Sequence, residues 1–204
     1  ASSVPRSHTV WGTGARLVAA LRESLEALPQ RDRLLLLTRH RVRDLVMENG
    51  RAVGCTGVVE SRSEAGGITV REGEFEARGD HVVIASGGIM GNLELVRKVW
   101  PESLGPAPEH LLNGSHPAAD GRLHRAAERH GARITHLDRM WLYAAGVRHW
   151  KPEHEAHGLS LVPPKSALWV DATGRRLGPP ALVSGFDTRY LVQAVCATPD
   201  RYSW

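Results

Sequence analysis

Apolar residues recur along the chain in three rhythms. Over residues 15–28, Leu17, Val18, Leu21, Leu25 and Leu28 fall three or four apart, which predicts an amphipathic helix. Thr13 or Gly14 opens it and Pro29 closes the region behind it. Two short unbroken runs, "RLLLLT" at 33–38 and "HVVIAS" at 81–86, have the pattern of strands covered on both faces of a sheet. Between them Val42, Leu45 and Met47 lead into Asn49-Gly50, and Val53 to Val59 lead back. Asn-Gly between two apolar stretches predicts a hairpin, because both residues tolerate the positive φ of a type I′ turn. "GITVRE" and "EFEARG" predict two further short strands around Glu72-Gly73. Residues 1–90 therefore read as helix, inner strand, antiparallel meander, inner strand.

The rhythm changes after Asn92. "LELVRKVW" predicts a short helix with Asn92 as N-cap and Pro101 as its stop. Residues 101–121, rich in Pro, Gly and Ser, predict a long loop or linker. "GRLHRAAERHG" predicts a helix ended by Gly131 as C′ glycine, and "ARITHL" a strand. Residues 144–166 read as loop, "ALWVDATGRRLGPP" as a hairpin around Thr173-Gly174, and "DTRYLVQAVCAT" as a helix capped by Asp187. The expected class is α/β (α+β), with a domain boundary near residue 100 that divides residues 1–99 from 100–204.

Composition narrows the options. The 204 residues are 42% hydrophobic and 24% charged, with a formal net charge of +4. Such a chain buries a core and folds in water. Lys and Arg are scattered, without the clustered stripe a nucleic-acid site needs. No apolar run reaches the roughly 20 residues of a membrane span, and no signal peptide is expected. Cys55 and Cys196 sit in neither a CxxC nor a zinc-like spacing. Reduced thiols and a cytoplasmic setting are the expectation.

The candidate chemistry centres on "HVVIASGGIMGN", residues 81–92. A strand delivering its C-terminal end at Ala85, Ser86, Gly87 and Gly88 suits a ligand site, since ligands of open α/β sheets bind outside those ends. Two residues without Cβ also allow close approach to the main chain. A plain strand-to-helix turn needing glycine explains the same residues equally well. "GTGARL" at 12–17 lacks the preceding strand and third glycine of a dinucleotide fingerprint. His149, His154 and His157 lie within nine residues, but Pro152 denies them a regular helix and HExxH is absent. A polar surface loop is the default there and no metal is expected. Ser160 lacks a GxSxG elbow. Trp141 and Tyr143 suit either a core or stacking on a flat substrate, and Lys165-Ser166 either a carbonyl-polarising pair or a loop.

Four segments, in order, resemble the flavoproteins that include fumarate reductase and 3-ketosteroid dehydrogenases. "VVIASGGIMGN" resembles their "VV(I/L)ATGGFxxN", and "RHRVRDLVMENGRAVGCTGVV" the meander before it. "ADGRLHRAAERHGARI" resembles their "GDGxxxAxxAGA" helix and "ALWVDATGRRLG" a hairpin of their capping domain. The resemblance spans nearly the whole chain and implies an FAD-dependent dehydrogenase acting on an apolar, steroid-like small molecule. It implies that Ala85, Ser86, Gly87 and Gly88 line the FAD, with Val42 near the adenine. It implies an incomplete FAD-binding domain with a β-meander over 1–99 and part of a capping substrate domain over 100–204. Ser86 replaces the usual Thr and keeps a hydroxyl, while Ile89 replaces the usual Phe. "HPAADG" stands where "NTGDG" is common, and "VPPKSA" replaces the "RGEGG" of fumarate reductases. No catalytic residue is assigned and fumarate reduction is not implied. The family's opening GxGxxG and closing glycine-rich segment are missing, so the expectation is an internal fragment, inactive and without FAD on its own. The rival expectation is a cofactor-free binding domain; a third is a His-loop metalloprotein.

Overall fold

The computed structural model describes residues 13–62, 69–143, 146–160, 168–179 and 188–203. The chain divides into two compact units, Ala1–Arg39 and His40–Trp204.

In the first unit, α1 (Thr13–Glu26) carries the expected amphipathic pattern. Its apolar face has no buried residue; Leu17, Leu21 and Leu25 are exposed. A 3-10 turn, Arg31–Arg33, follows. The inner strand expected over 33–38 is absent. Leu34 is extended, but residues 34–37 belong to no sheet and Leu35 is 79% exposed. A strand of this kind is stabilised by neighbours on both sides, and no described strand pairs with it.

The second unit begins with the meander. β1 (His40–Glu48), β2 (Arg51–Arg62) and β3 (Thr69–Arg78) form an antiparallel sheet in the order β1-β2-β3. The turn between β1 and β2 is as the sequence predicts: Asn49 has φ 49° and Gly50 φ 77°, both positive as type I′ requires. The ladder slips by one residue at Arg43, where Val42 faces Gly57 and Asp44 faces Thr56. The expected turn at Glu72-Gly73 does not form. Val59 pairs with Gly73 and Glu60 with Arg71, so Glu72 is taken up as a β-bulge and one continuous strand replaces the two short ones. A bulge keeps the ladder on both sides, whereas a turn would forfeit one half of it. Val58, 1% exposed, anchors the sheet on its buried face.

The inner strand expected at 81–86 is also absent. Gly79 N–H still bonds Val53 O at 3.0 Å; beyond it residues 81–88 leave the sheet, and Val83 is 89% exposed. The cause is the same as for residues 34–37: nothing described lies beside the run to accept its main-chain hydrogen bonds.

The helical signals hold. α2 (Leu93–Lys98) starts at Asn92, whose side chain accepts from Leu95 N–H at 3.0 Å. α3 (Arg122–Arg129) ends in a Schellman motif: Ala132 N–H bonds Ala127 O, Gly131 N–H bonds Glu128 O, and Gly131 has φ 88°. The strand expected at 132–137 is not formed; these residues are irregular and His136 has φ 60°. α3 lies beside β1, with Ala126 buried and Arg129 Nη2 2.8 Å from Asp44 Oδ2. The boundary expected near residue 100 thus falls inside one compact unit.

Residues 146–160, expected as loop, hold a small antiparallel pair: β4 (Gly146–Arg148) and β5 (Gly158–Ser160). The hairpin around Thr173-Gly174 forms. Asp171 Oδ1 accepts from Thr173 and Arg175 N–H, and Leu177 N–H bonds Trp169 O. α4 (Thr188–Cys196) buries Leu191, Val192 and Val195, and Leu191 packs with Trp169. Its expected cap, Asp187, lies outside the described residues. Cys55 and Cys196 are free, half-buried thiols, and burial pushes the Cys196 thiol up.

Candidate functional site

The stretch that leaves the sheet after β3 docks onto the loop before α3. Gly91 N–H bonds Ala119 O at 2.9 Å, and Asn92 N–H bonds Ile89 O at 2.9 Å. Ile89 is buried. The fit at Gly91 is close: a Cβ there would lie 2.6 Å from His116 O and 2.8 Å from Pro117 O. Gly87 takes φ 80°, with Ala119 Cβ 3.7 Å from where its own Cβ would stand. This left-handed turn, open to glycine at no steric cost, swings the chain from the exposed run 81–86 onto the 116–121 loop.

A cleft of about 240 Å³ opens beside this joint. β1 contributes His40, Arg41 and Val42; the irregular run contributes Ser86; the loop and first turn of α3 contribute Ala118, Asp120, Gly121, Arg122 and Leu123. Val42 and Ser86, named from separate segments of the sequence, thus border one space. Ala85, Gly87 and Gly88 do not line it, although Gly88 has open space beside it. A larger, open depression of about 470 Å³ lies over the sheet near Arg43, Thr56 and Phe75, and none of Val42, Ala85, Ser86, Gly87 and Gly88 lines it.

The charges around the cleft are paired. Asp120 accepts from Arg122 N–H at 2.8 Å and lies 3.3 Å from the Arg122 guanidinium and 3.7 Å from that of Arg41. Arg41 also reaches Glu60 at 3.4 Å. Asp120 stands at the N-terminus of α3, where a negative charge is favoured. At the other end of the same helix, Asp44 is held below the usual carboxylate value. The Leu45 N–H it accepts is the main cause, with Arg129 and His130 adding to it against partial desolvation. The site therefore offers a hydroxyl, a carboxylate, two guanidiniums and main chain at a break in the β ladder. That set suits a polar heterocycle or a sugar. Arg41, Asp120 and Arg122 are not among the residues the sequence points to. The signal was there, in "HPAADGR", but its pattern reads as a helix start, and Arg41 enters only through the register of β1.

Residues 1–200 match the family model described as FAD binding domain. The chain belongs to this FAD binding domain family. It is 40% identical over 211 aligned residues to a KsdD-like steroid dehydrogenase of Mycolicibacterium smegmatis, covering 100% of this chain and 37% of that protein. It is 39% identical over 207 residues to a KsdD-like steroid dehydrogenase of Mycobacterium tuberculosis, covering 100% and 36%. The chain thus spans little more than a third of the length of these relatives. No solved structure matches it.

Within this FAD binding domain, the other singled-out residues fall elsewhere. Trp141 and Tyr143 are an exposed stacked pair, ring centroids 6.2 Å apart, rather than part of a core. Ser160 lies in β5, exposed. Lys165 and Ser166 lie outside the described residues. His149, His154 and His157 come together, yet no group of three or more ligating side chains among the described residues is placed to hold a metal ion. No helix among the described residues is long and apolar enough to cross a membrane.

Proposed function

We propose that this chain contributes one wall of the FAD site of an FAD-dependent dehydrogenase whose substrate is an apolar, steroid-like small molecule. The observation that carries the reading is the convergence of Val42 and Ser86 on one cleft, in a chain that matches the FAD binding domain over residues 1–200. The names of the two relatives support the substrate class.

The residues fit part of the cofactor. At about 240 Å³ the cleft is below the roughly 300–1,000 Å³ of a whole ligand pocket, a size for the adenosine end alone. There the Val42 main chain and the Ser86 hydroxyl would hold the adenine, with Gly87 and Gly88 presenting bare backbone. Asp120, paired with Arg41 and Arg122, would accept from an amino or hydroxyl group. FAD, when bound, supplies the hydride acceptor, and the protein supplies position. In the full-length protein residues 1–99 would lie on the flavin side and 100–204 largely on the substrate side, with 118–123 reaching back to the cleft. Alone, this chain would bind FAD weakly. Two free thiols suit a reducing cytoplasm.

The test uses the full-length protein, its flavin measured by absorbance and its activity on ketosteroids with an artificial electron acceptor. Ser86→Leu narrows the cleft and Gly88→Val places a side chain over the bare backbone; both sites are exposed, so the fold should tolerate them. About tenfold weaker FAD binding, roughly 1.4 kcal/mol, is expected from each at an unchanged apoprotein melting temperature. A protein without flavin, or two variants that bind FAD like the parent, would favour the cofactor-free binding domain.

A further inference from the structure

The turn joining β4 to β5 holds an arrangement that the flavin reading does not use. Four aromatic rings form a continuous stack in the order Trp150, His149, His157, His154. Their successive centroids are 5.8, 4.1 and 4.2 Å apart, with interplanar angles of 20°, 13° and 24°. Imidazoles stacked in this way direct their ring nitrogens along parallel planes, so the lone pairs do not converge as a metal ion requires.

The hydrogen bonds say which protonation state the stack needs. Lys151 N–H donates to His149 Nδ1 at 3.0 Å, and Glu153 N–H donates to His157 Nδ1 at 3.1 Å. Each Nδ1 must therefore carry a lone pair, which makes both rings neutral with the proton on Nε2. A second proton on either ring turns the acceptor into a donor facing another donor. Protonating both rings also sets two imidazoliums 4.1 Å apart, where like charges repel by about 1 kcal/mol even in water. His154 differs, since its Nδ1 meets Glu155 O at 3.0 Å, a partner that suits a protonated nitrogen.

What the stack secures is long-range. His149 N–H bonds His157 O at 2.9 Å, Asn113 N–H bonds Ala156 O at 2.7 Å, and Gly158 N–H bonds Asn113 O at 2.9 Å. Asn113 is itself buried, 5% exposed. The turn thus fastens the 112–115 segment to the β4–β5 pair.

We propose that the 149–157 turn is a protonation-sensitive latch, closed onto Asn113 while His149 and His157 are neutral and opened by acid. The charged groups that bear on His157 belong to the turn itself: His149, His154 and Glu153. Lys151, Glu155 and Arg148 lie near them in sequence, and the facing segment, Leu112, Asn113, Gly114 and Ser115, has no titratable side chain. Burial, then His149 and His154, hold His157 below its ordinary value against the opposing pull of Glu153. A group depressed in this way stabilises the closed turn above the ordinary histidine range, and that stability is lost as pH falls below about 6.5. The proposal is independent of the flavin reading.

The test is NMR on the full chain. Ring nitrogen shifts should show His149 and His157 as Nε2–H tautomers, with His157 titrating below its ordinary value. Amide exchange at Asn113 and Gly158, corrected for its intrinsic pH dependence, should accelerate at least tenfold between about pH 7.5 and about pH 5. The double variant His149→Phe/His157→Phe keeps both rings in the stack without a titrating nitrogen and should abolish that acceleration; His157→Phe alone should reduce it if the double variant fails to fold. Three histidines titrating independently at the free value would overturn the latch. So would shifted titrations without faster exchange, or an acid opening as large in the Phe variants as in the parent.

Discussion

β1 with β2, and the run at 81–86, are strand-patterned segments of the second unit with opposite fates. The first pair form a ladder with Val58 1% exposed; the second run pairs with nothing described and leaves Val83 89% exposed. The difference is in how far each must reach for its partner. β1 finds β2 across two residues, and the positive φ values that Asn49-Gly50 supplies at little steric cost set the register. The run at 81–86 carries no turn signal of its own. An unbroken apolar stretch says that a segment wants cover on both faces, not where the cover comes from. In the first unit, residues 34–37 teach the same lesson.

The joint between the two behaviours is the 86–92 turn, and it is where the largest effect is expected. Gly91→Ala drives a Cβ onto two main-chain carbonyls and should cost about 3 kcal/mol, read as a lower urea midpoint at constant m-value. A variant as stable as the parent would mean that the turn does not dock on residues 116–119. The contrast itself is tested by a matched pair. Val58→Ala should cost about 2 kcal/mol, from lost burial plus a cavity, and Val83→Ala less than about 0.5 kcal/mol. Similar costs for the two would show that the 81–86 run is covered after all. Removing the cap in Asn92→Ala should cost about 1 kcal/mol, seen as a lower thermal midpoint.

The smallest effect is electrostatic. Asp44 is depressed below its ordinary value of 3.8 by the Leu45 N–H and then Arg129. Its contribution is thus complete above that value and disappears as pH falls through the lower, folded-state value. The pair is largely exposed, so less than about 1 kcal/mol is at stake. Asp44→Asn should lower stability at neutral pH by less than about 1 kcal/mol, flatten the stability-versus-pH curve below about pH 4, and leave stability in strong acid unchanged.

Much of the site was legible in pieces. Ser86 is marked by an apolar run breaking into glycines, whereas Val42, in a hairpin strand, is named only through the family resemblance. That they border one cleft was not legible, because nothing in either segment encodes the distance between them. Arg41 and Arg122 were hidden for a related reason: scattered arginines on a mildly basic chain are solvated charges until a fold pairs them. The stack of His149, His154 and His157 shows the converse. Their spacing suggested metal chemistry or nothing; the turn around Pro152 gave them parallel planes instead of convergent lone pairs.

By itself the sequence determined the local conformations whose causes lie within a few residues: the Asn49-Gly50 turn, the Asn92 cap, the Gly131 stop and the Asp171 hairpin. It also determined membership of the FAD binding domain family, since that is a property of the ordered residues themselves. The tertiary structure alone decided that Glu72 bulges where a turn was expected, that Asp120 stands between two arginines beside Val42 and Ser86, and that two apolar runs remain without a sheet. Those outcomes depend on partners a dozen or more residues away, such as Val59 for Gly73 and Arg41 for Asp120. Pairing across such distances is set by loop-closure entropy and packing, which no short sequence window contains.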